Sequence, residues 1–291
     1  MSNAEQYIYP DKLIGVEFEP REYRYAERDV TLYALGIGAA KDPLDTKELQ
    51  LVYERHKAGH KVLPTFGVLF PRMGLASLSQ GLKFNLARML HGEEYLEVLR
   101  PLPDEGTVVS KGRIKAVYDK GSGAVVVLEA TTSDDKGQAL TRHERSLFFR
   151  GLGGFGGDPG PSGKVNVPPE RAPDQVHHEQ VSPNQALLYR LSGDRNPLHI
   201  DPDVAKLGGF DRPILHGLCT YGFASRAVIK CYGDNDPHHL RSIKARFAQP
   251  FFPGETLLTE MWRMSDGHIV FQCKSAERGV VVLSNEVAEV V

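Results

Sequence analysis

Cysteine is scarce in this chain. Its 291 residues hold three, Cys219, Cys231 and Cys273, and none form a disulfide framework or a paired-cysteine zinc motif. They read as buried thiols in a reducing compartment. No apolar run approaches the roughly 20 residues that cross a bilayer, so no membrane role is expected. The net charge is only −2, so no global basic field argues for nucleic acid. The opening MSNAEQYIYP lacks a basic segment followed by an apolar one, and the closing EVAEVV is no peroxisomal address. A cytoplasmic protein is the default expectation. The remaining composition, 41% hydrophobic and 25% charged, is that of a soluble globular protein of two domains or one large one.

Glycine and proline concentrate in one place, Gly151 to Asp174. At that density they disfavour helix and strand interiors, so the stretch reads as a linker. It predicts a first domain over 1–150, a linker over 151–175 and a second domain over 176–291. Gly151, Gly153 and Gly156 fit GxGxxG, but GDPGP follows them. No helix can start there to hold a pyrophosphate, which excludes a dinucleotide fingerprint.

The two halves resemble copies of one unit. LYALG and KDPLD in the first (Leu32–Gly36, Lys41–Asp45) match LYRLS and RNPLHID in the second (Leu188–Ser192, Arg195–Asp201). RPLPDEGTV at Arg100 matches QPFFPGETL at Gln249. A duplication explains such pairs at similar spacing. Each half reads as α+β. In the second, Pro183 to Leu191 is a helix candidate capped by Ser182, and Gly217 to Tyr232 is a longer one. The latter is apolar on more than one face and should be buried. Four β-rich runs follow, separated by PGE and DG turns. The pattern suggests a sheet wrapped around a helix, with a first half built the same way.

Leu191 to Pro202, LSGDRNPLHIDP, packs Asp194, Asn196, His199 and Asp201 between turn formers. Pro197 disfavours helix at Asn196, so the chain should turn sharply. Such a turn can aim Asp194 and His199 at one water, one group taking a proton and the other returning it. The same residues also make ordinary turns, and Asp201 before Pro202 suits a cap. His216–Gly217 opens the long helix, where unpaired amides and a positive dipole end could hold a carbonyl oxygen that gains charge. The pairs His177–His178 and His238–His239 lack the spacing of a helical metal site and read as solvated loop.

Tyr189 to Val228, with its SGDRNPLH core and its GFDRPILHGLCT continuation, closely resembles the MaoC-like (R)-specific enoyl-CoA hydratases. It is similar in particular to the hydratase 2 unit of peroxisomal multifunctional enzymes. LYALGIGA, LPTFGV, LHGEEYLE, PLPDEG, DKGSG and GGFGG extend the likeness over nearly the whole chain. The resemblance implies an α+β double hot-dog fold, each half a long helix wrapped by an antiparallel sheet. It implies hydration of trans-2-enoyl-CoA to (3R)-3-hydroxyacyl-CoA by Asp194 and His199. Asn196 would orient the dyad, and the Gly217 amide would polarise the thioester carbonyl. No cofactor or metal is implied, and the enzyme would be a homodimer. The first half would have lost the dyad and would accommodate bulky acyl chains: Asp45 stands where the second copy has His199, and Pro64–Thr65 near where it has His216–Gly217. A larger eukaryotic multifunctional enzyme would place the unit in peroxisomes.

Lys244 and Arg246 are candidates for the CoA phosphates, or else ordinary strand-surface charge. Two other classes of function stay open. One is a thioester enzyme on carrier-protein substrates or a thioesterase. The other is a non-enzymatic acyl-CoA binder, which loss of Asp194 or His199 would have favoured.

Overall fold

The computed structural model describes residues 6–71, 75–85, 88–161 and 165–291. The alternating runs between turn formers become strands. In chain order they are β1 (Tyr7–Ile8), β2 (Arg21–Tyr25), β3 (Leu82–Lys83), β4 (Met89–Val98), β5 (Gly106–Asp119), β6 (Gly123–Asp134), β7 (Ala139–Arg150), β8 (Gln175–Gln180), β9 (Leu240–Phe247), β10 (Thr256–Arg263), β11 (Ile269–Ser275) and β12 (Val281–Val290). The helices are α1 (Glu27–Gly36), α2 (Gln185–Tyr189), α3 (Pro202–Leu207) and α4 (Gly217–Tyr232).

Among the described residues ten strands form one sheet in the order β2-β5-β6-β7-β4-β9-β12-β11-β10-β8, and β1 pairs separately with β3. Read outward from the β4·β9 seam, the two halves run in corresponding order: β4, β7, β6, β5, β2 on one side and β9, β12, β11, β10, β8 on the other. That mirrored order is the geometry of a duplicated unit. The seam is antiparallel, with Glu94 across from Ala245 and Leu96 across from Ile243. The chain has the α+β double hot-dog architecture.

Helix α4 lies buried from Cys219 to Ile229. It has no interior proline, and Gly222 is where it meets the first half. A Cβ there would stand 2.5 Å from Cγ2 of Ile37. Arg226 of α4, 6% exposed, pairs with Glu48 at 2.6 Å and with Glu179 at 2.8 Å. One hydrophobic cluster therefore runs through both halves, from Tyr33 and Phe66 to Tyr221 and Phe271. Each such buried ring contributes about 1.5–3 kcal/mol.

The first half departs from the expectation of a long central helix. Among the described residues its counterpart consists of two short 3-10 turns, Pro64–Leu69 and Leu75–Gln80. Pro71 supplies a reason: an α-helix through it would need its amide to bond Gly67, and proline has none. Phe70 bonds the Gly67 carbonyl instead, in 3-10 fashion. Ser182 does not cap α2: its hydroxyl donates to Asn184, and the helix starts at Gln185. His177 and His178 lie on β8, not in a loop.

Candidate active site

Short-range devices build the turn from Leu191 to Pro202. Gly193 ends the 3-10 turn Arg190–Ser192 at φ 126°, a conformation side chains resist. The Asn196 amide donates to the Asp194 carboxylate at 3.1 Å, closing an Asx turn. The Asn196 side chain then accepts from the Leu198 amide, with Pro197 at the first position of the turn Pro197–His199. Asp201 caps α3 by accepting from the amides of Asp203 and Val204. Asn196 thus shapes the segment through its backbone and side chain together.

The turn delivers His199 into the interior, 9% exposed, while Asp194 stays exposed. His199 Nδ1–H donates to the Ile214 carbonyl at 2.9 Å. A carbonyl only accepts, so Nδ1 carries the proton and Nε2 is free to take one. His216, the residue before α4, donates from Nε2 to the Asp194 carbonyl at 3.1 Å. Its ring stacks on His199, with centroids 3.8 Å apart, and lies 5.0 Å from that of Tyr189. Side-chain donor atoms of Asp194, His199 and His216 all lie within 4.8 Å of one another.

Burial disfavours the charged form of both imidazoles. Burial pushes His199 below its ordinary value, against the pull of Ile214 and Asp194. Burial, with His199 alongside, drives His216 down to about 4. A neutral His199 beside a carboxylate can accept a proton from water.

Gly217 is the first residue of α4, and helix geometry leaves the leading amides without intrahelical partners. Phe247 of β9 packs against it: a Cβ on Gly217 would stand 2.9 Å from Cε1 of that ring. Asp194, His199 and Gly217 thus gather where the Leu191–Pro202 turn meets the start of α4.

Comparison with known proteins covers nearly the whole chain. The MFE-2 hydratase 2 N-terminal domain model matches residues 23–151, and the MaoC-like domain model matches residues 164–286. A Dictyostelium discoideum protein named probable enoyl-CoA hydratase 2 is 45% identical, over 95% of this chain and 95% of its own. The chain belongs to the MaoC-like hydratase 2 family. An Arabidopsis thaliana relative named peroxisomal enoyl-CoA hydratase 2 is 42% identical, over 99% of this chain and 97% of its own. The crystal structure of a MaoC-like dehydratase from Phytophthora capsici superposes with a TM-score of 0.87 at 35% identity, covering 98% of each chain.

Lys244 and Arg246 alternate with Ala245 and Phe247 and so occupy the outward face of β9. Lys244 pairs there with Glu93 at 3.0 Å. Asp45, at the place of His199 in the other copy, serves local structure. Its carboxylate accepts from the amides of Lys47 and Glu48 and reaches Lys230 of α4 at 3.4 Å. Sequence reasoning missed His216 as a stacking partner, although the His-Gly step at a helix start was visible. It also missed Phe247, which only the fold brings to Gly217.

Proposed function

We propose that this chain reversibly hydrates trans-2-enoyl-CoA to (3R)-3-hydroxyacyl-CoA in fatty acid metabolism, as a hydro-lyase. The observation that carries the reading is the gathering of a carboxylate, a neutral buried imidazole and a helix-start amide at one place. The enoyl-CoA hydratase 2 names of its full-length relatives support it.

The thioester oxygen accepts from the Gly217 amide, which draws electron density from C3. Water lies between Asp194 and His199. His199 Nε2 accepts its proton as the oxygen attacks C3, and Asp194 stabilises the imidazolium so formed. That proton then reaches C2 as the enolate collapses. The dyad is regenerated and no covalent intermediate forms.

Among the described residues no helix is long and apolar enough to cross a membrane. A homodimer is part of the proposal and is checked by light scattering. The cytoplasmic default and the peroxisomal name of the plant relative diverge, and a fluorescent fusion decides between them.

The activity test follows loss of conjugation with crotonyl-CoA and a medium-chain trans-2-enoyl-CoA, with chiral analysis of the product. Formation of (3R)-hydroxyacyl-CoA is the expected result. Release of free thiol would make the chain a thioesterase. Turnover confined to carrier-protein thioesters would move the substrate class.

A further inference from the structure

We infer that Glu94 and His91, in the half without the dyad, are positioning residues that hold Phe247 over the Gly217 amide. The inference rests on the hydratase reading. Glu94 has no exposed surface and sits at the seam, across from Ala245. It accepts from Arg145 Nε at 2.7 Å and Nη2 at 3.2 Å, and from His91 Nε2 at 2.9 Å. Burial alone would push the Glu94 carboxyl up, but Arg145 and then His91 outweigh it and hold it down at about 2. A carboxylate only accepts, so His91 Nε2 carries the proton and the ring is fixed in orientation. That ring packs on Phe247 with centroids 4.6 Å apart. Phe247 in turn closes on Gly217, as the 2.9 Å approach to a Cβ there shows. Three contacts therefore connect a buried ion pair of the first half to Gly217 of the second.

Two features point to positioning beyond stability. A buried ion pair is a weak source of stability, because desolvation offsets its attraction and apolar residues could fill the space. The row beside it on the same face is apolar, Leu96 across from Ile243. The second feature is a bulge. Residues three apart on a regular strand face opposite ways, yet His91 and Glu94 meet. The register of β4 shifts between His91 and Glu93, which turns both side chains to one face. A ring bounding the carbonyl slot matters on the scale of fractions of an ångström.

The test compares His91→Leu, Phe247→Leu and the double variant, with Glu94→Gln as a further probe. The readouts are kcat on a medium-chain trans-2-enoyl-CoA, Kd for the saturated acyl-CoA of the same length, and Tm. His91→Leu should lower kcat about tenfold, leave Kd within about twofold, and add little in the Phe247→Leu background. Glu94→Gln should lower kcat in the same direction; should it not fold, the more exposed His91 still decides. The inference is overturned if His91→Leu keeps kcat within about twofold of wild type whatever Tm does, or if the losses multiply in the double variant. Wild-type chain that hydrates no enoyl-CoA would instead overturn the hydratase reading, and this inference with it.

Discussion

The two halves treat equivalent positions in opposite ways. In the second, SGDRNPLH folds a carboxylate and an imidazole toward the start of a 16-residue helix. In the first, KDPLD leads to Asp45, whose carboxylate is taken up by local amides and Lys230, and 3-10 turns stand where the helix would be. The first half has not become a passive spacer. Glu48 grips Arg226 of α4, and Glu94 holds the ring chain that ends at Gly217. A duplicated site can lose its chemistry in one copy while that copy takes over the holding of the other.

The largest effects should come from the dyad. Asp194→Asn and His199→Ala should each lower kcat by at least about 10²-fold with the fold intact, the scale of a general acid–base group. Asp45→Asn, at the matching place in the first half, should leave kcat within about twofold. Steady-state kinetics and circular dichroism on the three proteins check this. A large loss in Asp45→Asn would mean that the first copy still takes part in the chemistry.

Next comes the weld between halves. Arg226→Met leaves Glu48 and Glu179 buried without their shared cation, a change worth about 3–5 kcal/mol. Denaturant unfolding should show the loss in a single transition, because one core cluster spans both halves. Two separate transitions would show that the halves unfold independently, and would restore the picture of two linked domains.

Acid should act on both halves through buried histidines. Burial lowers His143 of the first half from 6.5 to about 4, and burial with His199 does the same to His216 of the second. Unfolded, each binds its proton near 6.5; folded, near 4. Between those values the unfolded state holds more protons, so stability is full above 6.5 and falls as pH drops toward 4. His143→Leu should flatten part of that fall in Tm without changing kcat. His216→Leu should flatten its own part and lower kcat. Equal kinetic effects of the two would erase the distinction between the halves.

How much of this was legible depended on distance along the chain. The turn at 191–202 could be read because Asp194, Asn196 and Asp201 accept from amides two or three residues on, and Gly193 supplies a positive φ. The bounds of α4 could be read because a buried helix keeps its apolar residues and its start signal in one stretch. The missing helix of the first half was signalled by Pro71 but hidden by the likeness between copies. Glu94 and Arg145 stand 51 residues apart and meet only through strand pairing. Which face of β9 Lys244 and Arg246 take follows from a one-residue alternation that sequence alone does not anchor to the sheet.

The smallest expected effect concerns the passage between the halves. Composition alone marks all of Gly151 to Asp174 as a cleavable linker. The structure distinguishes its parts. The Asp119 carboxylate accepts from the amides of Gly154 and Gly156, and from Gly121 on its own turn. Those bonds hold the carboxyl below its ordinary value, Gly154 first among them. A glycine-rich backbone tied at two amides resists the local opening that a protease requires. Limited proteolysis should therefore cut first between 158 and 170, and spare 151–157. Asp119→Ala should extend cleavage into 151–157 with little change in kcat, since the dyad and Gly217 lie in the other half. First cuts at Gly154–Gly156 in the wild-type chain would show that these bonds do not protect the segment. The passage would then be a uniform tether, with the β4·β9 seam, Arg226 and the shared core holding the two halves together.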